Sequence, residues 1–172
     1  DSEKNIWIGT KGEGAYKLIR KNGGNQFEIF HFRHSENDPY SLSDDNVYAI
    51  YEDKNRNIWI GTFGGGLNLI LNNGDGKEII NSNNRLSGYP INQGDRVRII
   101  SEDKHGNILV GTTFGFITFG AEVESPEKIK FKVYTRNNND RLSIGANDIM
   151  DVCTTESGET YIGTFGGGIS KI

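Results

Sequence analysis

Short apolar runs, rich in β-branched and aromatic side chains, alternate along this chain with glycine, asparagine and aspartate. No stretch keeps a 3.6-residue apolar spacing, so the pattern predicts strands and no long helix. One run recurs. Asn-Ile-Trp-Ile-Gly-Thr stands at 5–10 and again at 57–62, Asn-Ile-Leu-Val-Gly-Thr at 107–112, and Thr-Tyr-Ile-Gly-Thr at 160–164. The Gly-Thr pairs begin at 9, 61, 111 and 163, giving spacings of 52, 50 and 52 residues. A fixed period of this size marks a stacked or radial repeat.

Each repeat resolves into four runs. The first, A, is Val-Tyr-Ala-Ile-Tyr at 47–51, with counterparts at 97–101 and 149–153. Its apolar residues fall on both parities, which predicts a strand covered on both faces. The anchor run is B. C follows the glycines at 15–20, 67–71, 117–119 and 169–172, and D lies at 27–32, 78–80 and 131–134. D alternates better, as expected of an edge with one wetter side. Four antiparallel strands per ~50 residues, joined by glycine-rich hairpins, describe a propeller blade. The expected fold is all-β: one β-propeller segment over 1–172, with about four blades and 14 strands. The blade pieces fall at about 1–34, 47–80, 97–134 and 149–172. The first piece lacks an A run and the last lacks a D run, so a piece of a larger ring is expected, with apolar sheet faces exposed at both ends.

The turns carry their own signals. Eight residues before each anchor glycine stand Asp1, Asp53, Asp103 and Thr155, of which the aspartates can accept backbone N–H groups two residues on. Three residues later stand Lys4, Arg56, Gly106 and Gly158. This is the hairpin position that needs positive φ, so Lys4 and Arg56 are expected to be strained. The loops from D to A, at 33–46, 81–96 and 135–148, each hold a Leu-Ser pair, and Leu42, Leu86 and Leu142 are expected to plug them onto the sheets.

Composition narrows the function. The net charge of −4 argues against a basic nucleic-acid surface, and no apolar run approaches the ~20 residues of a membrane helix. The single cysteine, Cys153, excludes an internal disulfide and a thiolate cluster, and its apolar run predicts a buried thiol. His31 and His34 are three apart on a strand and face opposite ways, so no metal site is expected, and no cofactor. Gly64, Gly65 and Gly66 are followed by no helix or Lys-Ser/Thr, which excludes a phosphate loop.

The run at 37–67, with Ser-Leu-Ser, Val-x-x-Ile-x-x-Asp and Trp-Ile-Gly-Thr followed by glycines, resembles the two-component regulator propeller repeat. The resemblance extends over nearly the whole chain, with departures at Leu109, Thr155 and Tyr161. It implies the periplasmic sensor region of a bacterial hybrid two-component system. Such propellers are typically seven-bladed, and a membrane helix leads on to a histidine kinase and a response regulator that controls transcription. It also implies an oligosaccharide as ligand, other blades of the same parent chain as neighbours, and a homodimeric parent.

In a propeller the D–A and B–C loops meet on one face, around the channel mouth. That places Asp45, Asn46, Asp95, Arg96, Asn147 and Asp148 beside Phe63, Phe114 and Phe165. Carboxylates, amides, a guanidinium and aromatic faces are what a sugar's hydroxyl pairs and C–H surface require. The plainer expectation is that Asp45 and Asn147 cap loops while Phe63 and Phe165 wedge between blades. Asp45, Asp95 and Asp148 also admit a glycosidase pair, but they occupy repeated positions and no nucleophile–base–orienter trio accompanies them. A non-catalytic ligand sensor is therefore expected. The alternatives are an interaction or dimerisation platform and, after it, a propeller hydrolase.

Overall fold

The computed structural model describes residues 1–21, 24–73, 78–121 and 125–172. They form four antiparallel sheets. The first holds β1 (Ile6–Gly9), β2 (Ala15–Arg20) and β3 (Phe27–Phe32); the second, β4 (Val47–Glu52), β5 (Ile58–Thr62) and β6 (Leu67–Ile70). The third holds β7 (Val97–Glu102), β8 (Asn107–Thr112), β9 (Phe116–Gly120) and β10 (Lys132–Tyr134); the fourth, β11 (Ile149–Thr154), β12 (Thr160–Thr164) and β13 (Gly168–Lys171). The inner strands β4, β7 and β11 lie side by side in that order, and β1 borders β4. This is a four-bladed β-propeller segment.

The described residues contain 13 strands rather than the expected 14. The missing one is the outer strand of the second sheet, where a single bridge, Leu69 to Ile80, replaces it. Its ladder stops because the Ile79 N–H donates to the Tyr40 carbonyl of the preceding loop at 2.8 Å. Irregular backbone also includes a one-turn helix, α1 (Ile91–Gly94), and a 3-10 turn at Pro126–Lys128, neither of which the pattern predicts.

The sheets pack through the anchor glycines. A Cβ on Gly61 would lie 2.3 Å from Cγ1 of Val97, the first residue of the next inner strand. Gly9 meets Val47 Cγ1 at 2.7 Å and Gly111 meets Ile149 Cγ2 at 2.7 Å in the same way. Each β-branched side chain thus fills the place where the preceding sheet has no side chain, and all three are buried. Trp59, Leu67 and Leu69 cover the third sheet's Ile108, Val110 and Ile117, and these six form the centre of the main apolar core.

The threonine of each Gly-Thr closes its own hairpin. The Thr10, Thr62, Thr112 and Thr164 hydroxyls donate to the carbonyls of Gly14, Gly66, Gly115 and Gly168 at 2.8–3.0 Å. At the opposite end, the aspartates cap the A–B turns. Asp53, 3% exposed, accepts four hydrogen bonds: the Asn55 and Asn57 N–H groups, the Asn57 amide and the Trp59 indole, at 2.9–3.0 Å. Asp1 repeats the grip on Asn5 and Trp7. Positive φ falls where the spacing predicts it. Lys4 (φ 67) and Arg56 (φ 65) are the positive-φ non-glycine residues among the described residues, and Gly106 (φ 83) and Gly158 (φ 89) hold the same position.

Two expectations fail. Leu42 and Leu86 are fully buried as plugs, but Leu142 is 94% exposed. The fourth-sheet plug is Ile144, 2% exposed and as far before β11 as Leu42 is before β4. Hydrogen bonds fix that alignment: the Ser41 hydroxyl donates to Asp38 O and the Ser143 hydroxyl to Asp140 O, both at 2.8 Å. The repeat therefore matches Ser-Leu to Ser-Ile, not Leu-Ser to Leu-Ser. Cys153 is also exposed, because it follows Val152, which faces the third sheet, and so projects from the other side.

Two measurements test this architecture. Gly61→Ala forces its methyl into Val97 and is expected to lower the unfolding free energy, measured by chemical denaturation, by about 1–3 kcal/mol. Asp103 supplies a pH test. Burial opposes its charge, but hydrogen bonds from the Asn107 amide and backbone and from the His105 N–H outweigh that and hold its pKa below the ordinary 3.8. Its contribution is therefore present above the unfolded value and lost as pH falls through the folded one. Unfolding midpoints measured from pH 6 to 2 should decline less steeply in Asp103→Asn.

Candidate ligand-binding rim

The B–C hairpin of one sheet locks into the D–A loop of the next. Gly12 and Gly14 N–H groups donate to the Asp45 carbonyl at 3.1 and 2.8 Å, and Gly64 and Gly66 to the Asp95 carbonyl at 2.8 and 2.9 Å. Val47 N–H donates back to Thr10 O at 2.8 Å. These bonds set loops of neighbouring blades side by side around the channel mouth, as the strand directions require.

Each inner strand then breaks register once. The pairing skips between Val47 and Ala49, between Val97 and Ile99, and between Ile149 and Asp151. The extra residues are Tyr48, Arg98 and Met150. A bulge re-aims the side chain it carries. Tyr48 and Met150 are about half exposed, and Arg98 turns toward the hairpin aromatics.

A cation–aromatic chain results. The Tyr48 ring stacks on Phe63 with centroids 4.8 Å apart. The Arg98 guanidinium lies 5.8 Å from the Phe63 centroid, and Arg96 lies 5.6 Å from both Phe63 and Phe114. Such contacts are worth about 0.5–1 kcal/mol each where solvent reaches them. Arg98 also donates Nε and Nη2 to the two Asp148 carboxylate oxygens at 2.9 and 3.3 Å. Phe63, Arg96, Phe114 and Asp148, with Tyr48 and Arg98, thus form one continuous surface over three sheets. Asp95 adjoins it: Oδ2 lies 3.8 Å from Arg96 Nε, while Oδ1 is buried with no partner among the described residues. Its charge, after burial, helps push the Tyr89 hydroxyl far up; that hydroxyl donates to Gly94 O at 2.9 Å.

Other sequence candidates are turned elsewhere. Asp45 accepts the His34 N–H at 2.7 Å and lies 3.3 Å from Arg33 Nη2, and Asn147 accepts the Arg136 N–H. Both close their D–A loops. The Asn46 amide donates to Asp44 Oδ1 at 3.0 Å. Phe165 is 71% exposed. His31 bonds Glu13 O and His34 bonds Leu42 O, both at 2.7 Å.

Sequence reasoning missed Tyr48, Arg98 and Met150. The one signal was Arg98, the only charged residue in its run at 97–101.

The profile of the two-component regulator propeller family matches residues 41–64, so the chain carries such a repeat there. No curated protein matches the chain. Among solved structures, it resembles the extracellular domain of a putative hybrid two-component system from B. thetaiotaomicron: TM-score 0.69, 20% identity, 99% of this chain and 20% of that one. A second such domain from B. thetaiotaomicron gives 0.59 at 19% identity, covering 98% of this chain and 26% of that one. A streptogramin B lyase structure gives 0.62 at 15% identity over 100% of this chain and 52% of that one. The chain spans only about a fifth to a quarter of the two extracellular domains. At these identities the likeness establishes the propeller fold.

The Arg98–Asp148 pair is about a third exposed on each side, 29% and 32%. A double-mutant cycle with Arg98→Ala and Asp148→Ala should return a coupling below about 1 kcal/mol in chemical unfolding. A larger value would mean the rim is closed to water.

Proposed function

We propose that this chain is part of the extracytoplasmic, non-catalytic sensor propeller of a hybrid two-component system, facing the periplasm. Its channel mouth takes a carbohydrate or similar polar ligand. The observation that carries this is the rim itself: aromatic faces and guanidinium groups from two blades, joined by the Asp148 carboxylate of a third, form one surface. Aromatic faces suit the C–H surface of a sugar ring, and forked donors suit its oxygens. The two-component repeat at 41–64 and the propeller shape shared with two such extracellular domains support the sensor role.

Binding signals only if it favours one arrangement over another. A ligand spanning Tyr48, Phe114 and Asp148 would bridge the second, third and fourth blades and favour the arrangement in which they sit closest. The parent chain would pass that preference to its kinase and on to transcription.

Asp45, Asp95 and Asp148 each lie against an arginine, at 3.3, 3.8 and 2.9 Å. That pairing supports a binding role over glycoside hydrolysis, in which one carboxyl group must deliver a proton. The alternative reading is an interaction or dimerisation platform.

Calorimetric titration of the full-length protein with a panel of glycan fragments tests the proposal. A fragment should bind to the wild type and at least about tenfold more weakly to Phe63→Ala, a loss of ~1.4 kcal/mol. No heat from any fragment, together with a concentration-dependent dimer in sedimentation, would favour the platform. Cleavage of a labelled oligosaccharide would favour the hydrolase.

A further inference from the structure

Arg33, Arg96 and Arg98 lie on the channel-mouth face, and two of these three are filled. Arg33 is shared between Glu13 at 3.2 Å and Asp45 at 3.3 Å. Arg98 gives two donors to Asp148. Arg96 differs. Its one ion contact is Asp95, reached through Nε at 3.8 Å, which is beyond hydrogen-bond length. Among the described residues its guanidinium donates no hydrogen bond, and its side chain is 48% exposed.

The fork is nonetheless held in place. Phe63 from the preceding blade and Phe114 from its own blade each place a ring centroid 5.6 Å from the guanidinium carbon. Two aromatic contacts, one on each of two hairpins, restrict the group, so less freedom remains to be lost when a ligand arrives. An unfilled guanidinium edge, oriented by two aromatic rings and open to solvent, matches one chemical group best. A planar carboxylate meets two N–H donors at once, in bonds roughly twice as strong as those to a neutral hydroxyl.

We propose that the ligand of this rim is an acidic sugar, a hexuronate-bearing oligosaccharide whose carboxylate is taken by Arg96. The inference rests on the reading of the rim as a glycan site. Phe114, 43% exposed beside the fork, faces the ring of the same sugar residue. Arg98 acts as a positioning residue: Asp148 neutralises it, and its guanidinium braces Phe63 from the side of the bulge. Asp95 leaves the fork open, because its carbonyl is held by Gly64 and Gly66 and its Oδ1 is buried.

The experiment titrates the full-length protein with trimers of galacturonate, mannuronate, guluronate and glucuronate. Beside them run their carboxyl-reduced neutral counterparts and an acidic tripeptide. The expected result is binding of at least one uronate trimer, with its neutral counterpart at least about tenfold weaker and the tripeptide silent. Arg96→Met should remove that difference, and Arg96→Lys should restore only part of it, since an ammonium cannot form the fork. Circular dichroism confirms that both variants fold. Equal binding of acidic and neutral trimers, or a preference that survives in Arg96→Met, overturns the carboxylate assignment and leaves the glycan rim standing. Binding of the tripeptide alone overturns the sugar. Failure of every trimer, acidic and neutral, removes the glycan rim and this inference with it.

Discussion

The Val97 side chain occupies the space where Gly61 has none, and the rest of the molecule depends on that contact and its two equivalents. A methyl on the glycine would push the inner strand of the next sheet outward. With the glycine bare, the first residue of one inner strand seats against the second strand of the blade before it, and the angle between sheets is set near the channel axis. The core follows, with Trp59, Leu67 and Leu69 closing on Ile108, Val110 and Ile117. So does the rim, because the same approach brings Gly64 and Gly66 N–H groups to the Asp95 carbonyl.

The two ends of the blades divide the work. At the A–B turns, aspartate clamps and cross-blade bonds give a uniform, repeated frame. Lys54 Nζ donates to His105 O at 3.2 Å, Lys104 Nζ to Ser157 O at 2.6 Å, and the Lys54 N–H to Glu102 at 3.0 Å. At the channel mouth the backbone bonds repeat but the side chains do not. The bulge residue is tyrosine, arginine and methionine in turn, and the residue before each inner strand is asparagine, arginine and aspartate. A frame held by main-chain bonds and bare glycines leaves these side chains free to differ from blade to blade. A ligand surface with more than one kind of contact needs that freedom.

Much was legible in one dimension. The period and the order of runs within it follow from recurrence along the chain, and the aspartate turns and the positive φ at Lys4 and Arg56 from residue type and spacing within about ten residues. The loop-closing roles of Asp45 and Asn147 were legible for the same reason. What failed was of a different kind. Leu142 matches the repeated dipeptide, but Ile144 fills the pocket because burial depends on distance from β11. The outer strand of the second sheet was lost to a bond between Ile79 and Tyr40, 39 residues away in the chain.

The amino-acid order by itself determined that this is a repeating all-β chain and where its hairpins turn. Those are consequences of backbone preference and of side-chain alternation. Only the assembled structure decided that Tyr48 and Arg98 leave the ladder, that Arg98 is filled by Asp148 while Arg96 stands open, and that Phe63 belongs to two arginines of the neighbouring blade. A bulge depends on how two strands pair, and whether a guanidinium is occupied depends on which carboxylate a different sheet brings beside it. Neither quantity exists until the blades have packed.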